Sequence, residues 1–269
     1  MGYQHLEIET DDNVATLWLS RPEKRNALSE DMWADLPAAM TDLAADKSVR
    51  VVVLAGRGPA FSVGIDLDML TGLHGGGESS ADSNMKLYQT IRRLQRTITC
   101  FAESPKPVIA AIHGYCLGAG VDLITACDIR LAAADAVFSV RETRMGLVAD
   151  VGSLQRLPSI VGSGVTAEMA YTGGDFDATW AKERGLVNDV YEDQQAVLGA
   201  ALQLANDIAA NSPLVTQGIK KVLAAADGQT VEKALDYVAQ WNSSFLMSND
   251  LTEAISAFME KRQPDFKGS

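Results

Sequence analysis

The 269-residue sequence predicts an α/β fold that is followed by a helical C-terminal region. Strand-like and helix-like segments alternate over the first two hundred residues, and from about residue 193 only helical periodicity remains. No internal repeat, low-complexity tract or clear linker interrupts the chain. We therefore divide it into a core of residues 1–200 and a helical region of residues 201–269.

The alternation begins with two strands near residues 5–9 and 14–19, which an Asp-Asp-Asn turn joins. After the loop RPEKRNAL, Ser29 is expected to cap a helix that runs to about Asp46. A short β-branched strand over residues 49–56 ends in glycine and leads into a second loop, GRGPAFSVGIDL. This order of strands and helix is typical of an α/β domain.

The rest of the core continues the alternation after residues 72–84, which are rich in Gly and Ser and are predicted to form a mobile loop. The later elements are predicted in this order: a helix over 85–103, a strand over 104–114, a buried helix in GAGVDLITACD, two short strands in IRLAAADAVFSV, a strand near 186–190, and C-terminal helices with a break at Pro213.

Composition indicates an ordinary globular protein, because hydrophobic residues make up 47% of the chain and charged residues 22%. No apolar run is long enough to cross a membrane. The first residues do not have the pattern of a secretory signal. Cys100, Cys116 and Cys127 lie in apolar surroundings without paired spacing, which indicates reduced thiols and a cytoplasmic location.

The net charge of −12 argues against nucleic acid or an anionic membrane as a partner. An anionic ligand would need a local basic cluster, and Arg21, Lys24, Arg25 and Arg57 could form one. From composition alone, ordinary solvated surface is the plainer explanation of these four side chains. The net charge therefore argues against nucleic-acid and membrane partners but does not identify a ligand.

Several kinds of catalytic site have no support in the sequence. The P-loop, the H-E-x-x-H zinc motif and the G-x-S-x-G nucleophile elbow are absent. GYCLGAG does not have the spacing of a dinucleotide-binding loop. The three histidines, His5, His74 and His113, are too far apart in sequence to indicate a metal site. We therefore expect neither a metal nor a nucleotide cofactor.

Two glycine turns, FSVGIDL (61–67) and GYCLGAGVDL (114–123), each follow a predicted buried strand. Glycine allows a backbone to approach a ligand closely, and a helix that starts near Gly118 would present free N–H groups. One N–H from each turn could form an oxyanion hole. The alternative is that both turns only serve packing.

Three acidic residues lie within or after the second turn, and each has a plain explanation. Asp122 could interact with a helix dipole, Glu142 could be a surface acid at a strand end, and Asp150 could cap a helix near residues 152–160. Together they suggest carboxylates in one apolar pocket, where burial and repulsion raise pKa values so that one is protonated while another is ionised. The apolar residues of RETRMGLVADVGSLQRL are expected to keep water out of this pocket.

The segments AFSVGIDL, PVIAAIHGYCLGAGVDLITACDIRLAAADAVFSVRE and GLVADVGSLQRLPSIVG resemble the crotonase (enoyl-CoA hydratase/isomerase) superfamily, and RPEKRNALS resembles its coenzyme A-binding loop. The resemblance extends over residues 5–260. It implies a spiral of ββα units in which the helical residues 201–269 form a trimerisation region. It also implies a homotrimer or a homohexamer.

The resemblance implies an acyl-CoA thioester as substrate, whose enolate is held by the backbone N–H groups of Ile65 and Ala119. Ala119 replaces the family's usual glycine, but its N–H is retained. No metal or redox cofactor is implied, since coenzyme A is part of the substrate. The implied coenzyme A contacts are Arg25, Ala27, Ala60, Val63, Gly64, Ile65, Asp66 and Leu67.

The acids distinguish branches of the superfamily, because hydratases carry glutamates at the positions of Asp122 and Glu142 and a Pro/Gly-rich loop in place of VADVGS. The triplet with Asp150 resembles the dienoyl-CoA isomerases. This implies conversion of a 3,5-dienoyl-CoA to a 2,4-dienoyl-CoA in fatty-acid β-oxidation, with Glu142 as base, Asp122 as acid, and Asp150 tuning Glu142. An enoyl-CoA hydratase and a non-catalytic acyl-CoA-binding homologue remain alternatives.

Overall fold

A computed structural model describes residues 2–72 and 79–269, and its strands form two sheets. The strands are β1 (Leu6–Asp11), β2 (Val14–Leu19), β3 (Val51–Gly56), β4 (Val108–Ile112), β5 (Tyr115–Leu117), β6 (Ile129–Ala133), β7 (Val137–Ser139), β8 (Phe176–Asp177) and β9 (Asp189–Tyr191). The helices are α1 (Glu30–Ala45), α2 (Leu67–Gly72), α3 (Ser80–Glu103), α4 (Ala119–Ala126), α5 (Ser153–Val161), α6 (Ser163–Thr172), α7 (Ala178–Glu183), α8 (Gln194–Ala209), α9 (Pro213–Ala226), α10 (Val231–Phe245) and α11 (Asn249–Glu260).

The larger sheet has the order β1-β2-β3-β4-β6-β9, and all its neighbouring strands are parallel except the β1–β2 hairpin. The smaller sheet has the order β5-β7-β8. Consecutive strands alternate between the sheets: β4 and β6 belong to the larger one, and β5 and β7, which follow them, belong to the smaller one. The predicted α/β fold of repeated ββα turns with C-terminal helices is confirmed.

Both faces of the larger sheet are covered, so its central strands are apolar on both sides. Along β2, Ala15, Leu17 and Leu19 join the main core, in which α1, α3 and α4 also bury side chains. Val14 and Trp18 point to the other face, where they share a second core with α8. This two-sided burial explains why β2, β3 and β4 contain few polar residues.

Local signals in the sequence predicted most of the helix and strand boundaries, but two observed boundaries differ from the predicted ones. Ser29 caps α1 as expected, since its Oγ accepts a hydrogen bond from the Met32 N–H at 3.4 Å. Helix α3 begins five residues earlier than predicted because Ser79 caps it. Of the predicted mobile loop 72–84, residues 80–84 are therefore helical, and residues 73–78 lie outside the described ranges.

The predicted strand over 104–114 is shorter, and a further strand follows it. Ile112 pairs with Ala132 in the larger sheet, whereas Tyr115 pairs with Val137 in the smaller one. The chain must therefore leave one sheet and enter the other between residues 112 and 115. This crossing delivers the chain directly to the start of α4.

Helices α9, α10 and α11 lie beyond the sheets and expose many large apolar side chains. The predicted division at residue 200 falls inside α8, whose buried face packs on the larger sheet as far as Ala209, and the two-part division stays a prediction. None of the helices within the described ranges is both long and apolar enough to cross a membrane. The exposed apolar residues of the last three helices include Val215, Ile219, Leu223, Val231, Leu235, Phe245, Ile255, Phe258 and Met259.

Candidate active site

The two glycine turns meet at the start of α4. A Cβ atom on Gly64 would lie 3.1 Å from the Ala119 nitrogen and 2.8 Å from the Leu117 carbonyl oxygen. The loop after β3 therefore packs directly against the loop that enters α4. Only glycine permits this approach, because any side chain at position 64 would overlap the neighbouring backbone.

The two predicted oxyanion donors are free at this junction. Within residues 2–72 and 79–269, neither the Ile65 N–H nor the Ala119 N–H donates a hydrogen bond to a protein acceptor. Ala119 is the first residue of α4, where backbone N–H groups have no intrahelical partner and the helix dipole is positive. The junction can therefore bind an oxygen atom that carries negative charge.

Asn26 holds the first of these loops in place, and sequence reasoning missed it. Its side chain is fully buried; Nδ2 donates to the Arg57 and Ala60 carbonyl oxygens at 2.9 and 2.8 Å, and Oδ1 accepts from the Arg21 N–H at 2.8 Å. Ser62 Oγ donates to the Asn26 carbonyl oxygen at 2.8 Å. The hydrogen bonds of Asn26 thus join RPEKRNAL to the loop after β3.

Asp122 is fully buried in the first turn of α4. Its Oδ1 accepts a short hydrogen bond from the Ser153 N–H at the start of α5, whereas its Oδ2 has no hydrogen-bond partner in the described part of the chain. Burial and the charge of Glu142 raise the pKa of Asp122 to about 7, although Ser153 and Arg156 oppose this rise. Asp122 can therefore exchange a proton near neutral pH.

Glu142 lies beside the same helix start, just after β7. A Cβ atom on Gly118 would lie 3.3 Å from Glu142 Oε1, and Gly118 has a φ of +51°, so glycine suits both the space and the backbone. Glu142 Oε2 is buried and has no hydrogen-bond partner among the described residues. Burial, with a contribution from the charge of Asp150, raises the pKa of Glu142.

Asp150 is the third predicted acid, and its side chain is exposed. Gln95 Nε2 donates to the Asp150 carbonyl oxygen at 2.6 Å and ties this loop to α3. Partial desolvation raises the pKa of Asp150, and its charge acts on Glu142. The structure thus brings all three acids to one region, with Asp122 and Glu142 innermost and Asp150 at the edge.

The expectation that the apolar run around Asp150 is buried is wrong for part of that run. Met145, Leu147 and Val148 are exposed, Val148 by 74%, while Ala149 and Val151 are buried. The physical reason is local: Glu142–Met145 form a single 3₁₀ turn followed by irregular chain, so the segment has no face that packs on the core. Residues 145–148 of this chain do not exclude water by themselves.

Metal-ligating side chains are not grouped in the described ranges: no set of three or more His, Cys, Asp or Glu residues is arranged to hold an ion. Asp122 and Glu142 are the innermost acids of this site. Each has one buried oxygen with no hydrogen-bond partner among the described residues, which leaves that oxygen able to exchange a proton with a bound molecule.

The predicted coenzyme A contacts lie along the two joined loops. Ala27, Ala60, Gly64 and Asp66 are buried, Val63 and Ile65 are partly exposed, and Arg25 and Leu67 are exposed. Arg25 has a φ of +50° and places its guanidinium 5.8 Å from the centre of the Tyr115 ring. The backbone also connects the loops, since the Val63 N–H donates to the Arg25 carbonyl oxygen at 3.2 Å.

The predicted basic cluster is smaller than its four residues suggest. Arg21 pairs with Asp66 at 2.5 Å and lowers the pKa of that carboxyl. Arg57 pairs with Glu7 and Glu9 and lies 3.7 Å from the centre of the Trp18 ring. Lys24 and Arg25, which form no ion pair within the described ranges, are the cations left to meet an anionic ligand.

Known proteins resemble this chain along almost its whole length. A sequence profile described as enoyl-CoA hydratase/isomerase matches residues 9–269. The chain belongs to the enoyl-CoA hydratase/isomerase family. The Δ(3,5)-Δ(2,4)-dienoyl-CoA isomerases of Arabidopsis thaliana and Dictyostelium discoideum are 44% and 43% identical to it; each alignment covers 98% of this chain, with 98% and 92% of the relatives' own lengths.

Among solved structures, the enoyl-CoA hydratase from Bacillus anthracis superposes with a TM-score of 0.91 at 30% identity, over 99% of this chain and 100% of that one. The predicted cytoplasmic location is contradicted, because the Dictyostelium relative is named mitochondrial and the Arabidopsis relative peroxisomal. Free cysteines, on which that prediction depended, are equally compatible with the interior of an organelle.

The raised pKa of Asp122 predicts a specific dependence of stability on pH. Because the folded-state pKa lies above the unfolded value of 3.8, the native state retains a proton that the unfolded state releases, and stability falls as pH rises towards 7. Relative to Asp122→Asn, the wild type should lose roughly 3 kcal/mol of unfolding free energy between about pH 5 and pH 8. Urea titrations of both proteins measure this difference; parallel pH dependences would contradict it.

Proposed function

We propose that this protein isomerises a 3,5-dienoyl-CoA to a 2,4-dienoyl-CoA. The proposal depends on two carboxylate oxygens, Asp122 Oδ2 and Glu142 Oε2, which have no hydrogen-bond partner within residues 2–72 and 79–269 and lie beside the N–H at the start of α4. The names of the Arabidopsis and Dictyostelium relatives support the same reaction. The substrate class would assign the protein to fatty-acid β-oxidation.

The proposed reaction begins when the thioester oxygen accepts hydrogen bonds from the Ile65 and Ala119 N–H groups. Glu142, in its ionised form, removes a proton from C2, and the electrons delocalise over the thioester and both double bonds as a dienolate. The two N–H groups stabilise the charge that develops on the oxygen. Asp122, in its protonated form, then donates a proton to C6, which leaves double bonds at C2 and C4.

At the start of this reaction Asp122 must be protonated and Glu142 must be ionised, so the two carboxyl groups share one proton. Asp122 and Glu142 repel each other as carboxylates, so ionisation of one disfavours ionisation of the other. With a pKa of about 7, Asp122 holds a proton through much of the neutral range and can still release it. Asp150, whose negative charge raises the pKa of Glu142, would make that residue a stronger base.

Proton transfer between carbons is the whole of this chemistry, so no step in it needs a metal or a redox cofactor. Coenzyme A would serve as the handle of the substrate. Its phosphates would meet the exposed cations Lys24 and Arg25, while the rest would lie along Ala27, Ala60 and residues 63–67. A local cationic rim allows a protein with a net charge of −12 to bind a polyanion.

Enoyl-CoA hydration is the second candidate function. The exposure of Met145 and Val148 near Glu142 favours it, because water could then reach the acids. The solved structure from Bacillus anthracis is also named as a hydratase. Hydration needs a water molecule held between the two carboxylates, and the engagement of Asp122 Oδ1 by the Ser153 N–H leaves only one oxygen of that residue for the task.

We further propose that residues 201–269 assemble the protein into a homotrimer or a homohexamer. The exposed apolar side chains of α9, α10 and α11 support this proposal, because a single chain would leave them in water. Assembly could also cover Met145 and Val148. The family membership is consistent with an oligomer of acyl-CoA-processing subunits.

The isomerase proposal predicts that purified protein converts 3,5-octadienoyl-CoA to the conjugated 2,4-dienoyl product, measured by absorbance, faster than it hydrates crotonyl-CoA in parallel. Asp122→Asn and Glu142→Gln should each lower kcat by about 10²–10⁴-fold, because each removes a group that transfers a proton. Their affinity for octanoyl-CoA should stay near that of the wild type.

Asp189→Asn is the matched control, since it changes an aspartate on β9 that pairs with Lys182 and accepts a hydrogen bond from the Val190 N–H. It should retain full activity. An active Asp122→Asn enzyme, or a wild type that hydrates crotonyl-CoA efficiently and leaves the dienoyl substrate unchanged, would refute the isomerase proposal.

The coenzyme A contacts predict a separate effect for Arg25→Gln. Removal of this exposed cation should raise KM for the dienoyl substrate by about threefold to tenfold at low salt with little change in kcat, because Arg25 would touch only the handle. The effect should fade at high salt. Arg184→Gln, at the exposed end of α7, provides the control; an unchanged KM in Arg25→Gln would exclude Arg25 from the coenzyme A site.

A further inference from the structure

Arg156, in the first turns of α5, has no role in the proton transfer described above. The side chain is half-buried, and its Nη2 donates to Thr99 Oγ1 on α3 at 3.0 Å. Its Nη1 is buried and makes no hydrogen bond within the described ranges. A guanidinium group in this position is costly unless a negative charge compensates for the lost solvent.

The guanidinium lies over the backbone of Gly152. A Cβ atom at position 152 would be only 1.8 Å from Arg156 Nη1, so a side chain there would displace the guanidinium, and the φ of +139° at Gly152 is a backbone conformation that favours glycine. The next residue, Ser153, donates its N–H to Asp122 Oδ1. Arg156 therefore covers the short segment that holds the buried carboxylate.

Arg156 and Asp122 also interact through their charges. Arg156 lowers the pKa of Asp122, against burial and the charge of Glu142, which raise it. The groups that face this pair are the buried thiols Cys116 and Cys127, and Glu103, whose charge acts on Arg156 from α3. Asp150 acts on Glu142 from the outer edge of the site.

We propose that Arg156 is a positioning residue for Asp122. Its guanidinium, which is bound to Thr99 and lies over Gly152, holds the Ser153 N–H against the Asp122 carboxylate. The same group supplies the compensating positive charge. Without it, two buried carboxylates would face each other with only the Ser153 group to offset them. Arg156 itself does not touch the substrate. This inference rests on the proposed function only for its kinetic consequences.

The sign of the effect follows from the charges. Loss of the cation disfavours the ionised form of Asp122, so Asp122 should hold its proton to higher pH and release it less readily to C6. In Arg156→Gln, kcat should fall by about tenfold with KM nearly unchanged. The alkaline limb of the kcat–pH profile, where the acid loses its proton, should move up by about one pH unit or more.

The variants form a series around one geometry. Arg156→Lys keeps the positive charge but lacks the planar guanidinium with its two Nη donors. Compared with Arg156→Gln, it should recover part of kcat and most of the original pH profile. Thr99→Val removes the anchor of Nη2 and should shift the profile in the same direction by a smaller amount. Arg184→Gln removes an exposed arginine elsewhere and should leave the profile unchanged.

A direct titration separates this inference from the isomerase proposal. In protein labelled with ¹³C at the aspartate carboxyl carbons, the signal absent from Asp122→Asn reports the titration of Asp122 without any substrate. Its midpoint should rise in Arg156→Gln and rise less in Thr99→Val. This readout stands even if the wild type shows no isomerase activity.

An unchanged Asp122 midpoint in folded Arg156→Gln would overturn the inference. So would a lower melting temperature accompanied by an unaltered kcat–pH profile, because a purely structural arginine would affect only stability. A wild type inactive on 3,5-octadienoyl-CoA, with the Asp122 midpoint still dependent on Arg156, would refute the isomerase proposal and leave the role of Arg156 intact.

Discussion

The structure depends on one constraint: two carboxyl groups, Asp122 and Glu142, are buried beside the start of the same short helix. Each has an oxygen with no hydrogen-bond partner in the part of the chain that the structure describes, and their charges repel, so both cannot be ionised without cost. The Ser153 N–H and the Arg156 guanidinium offset part of that cost at Asp122. What remains is a pair that shares a proton near neutral pH, which suits transfer of a proton between two carbons.

The scaffold around this pair is built from close backbone approaches. The chain segments that follow the buried parallel strands come together at one end of α4. There Gly64 leaves room for a backbone nitrogen, Gly118 for a carboxylate and Gly152 for a guanidinium. Asn26 fixes the loop that carries Ile65. Site and fold are thus joined, because the turns that connect the two sheets also supply the free N–H groups.

Much of the fold could be predicted because its signals are local. The Ser29 cap, the hairpin and the buried strands each depend on a few neighbouring residues. The family resemblance of the glycine turns and of the segments after them indicated Ile65, Ala119 and the three acids. Partners distant in sequence were missed: nothing in RETRMGLVADVGSLQRL shows that Arg156 turns back over Gly152. The exposure of Val148 was also missed, since apolar residues outside a regular element have no periodicity that indicates a face. The cellular location is not encoded in the packing of the chain.

In the proposed mechanism two different carboxyl groups act, one at each end of the shifted double bonds. The most direct measurement is mass spectrometry and NMR of the product formed from 3,5-octadienoyl-CoA in ²H₂O under single-turnover conditions. We expect one deuterium at C6, because the Asp122 carboxyl proton exchanges with solvent before the substrate binds. A product without deuterium at C6 would contradict this mechanism, because a single base that carries the C2 proton to C6 would give that result. A product heavier by one water would also contradict it.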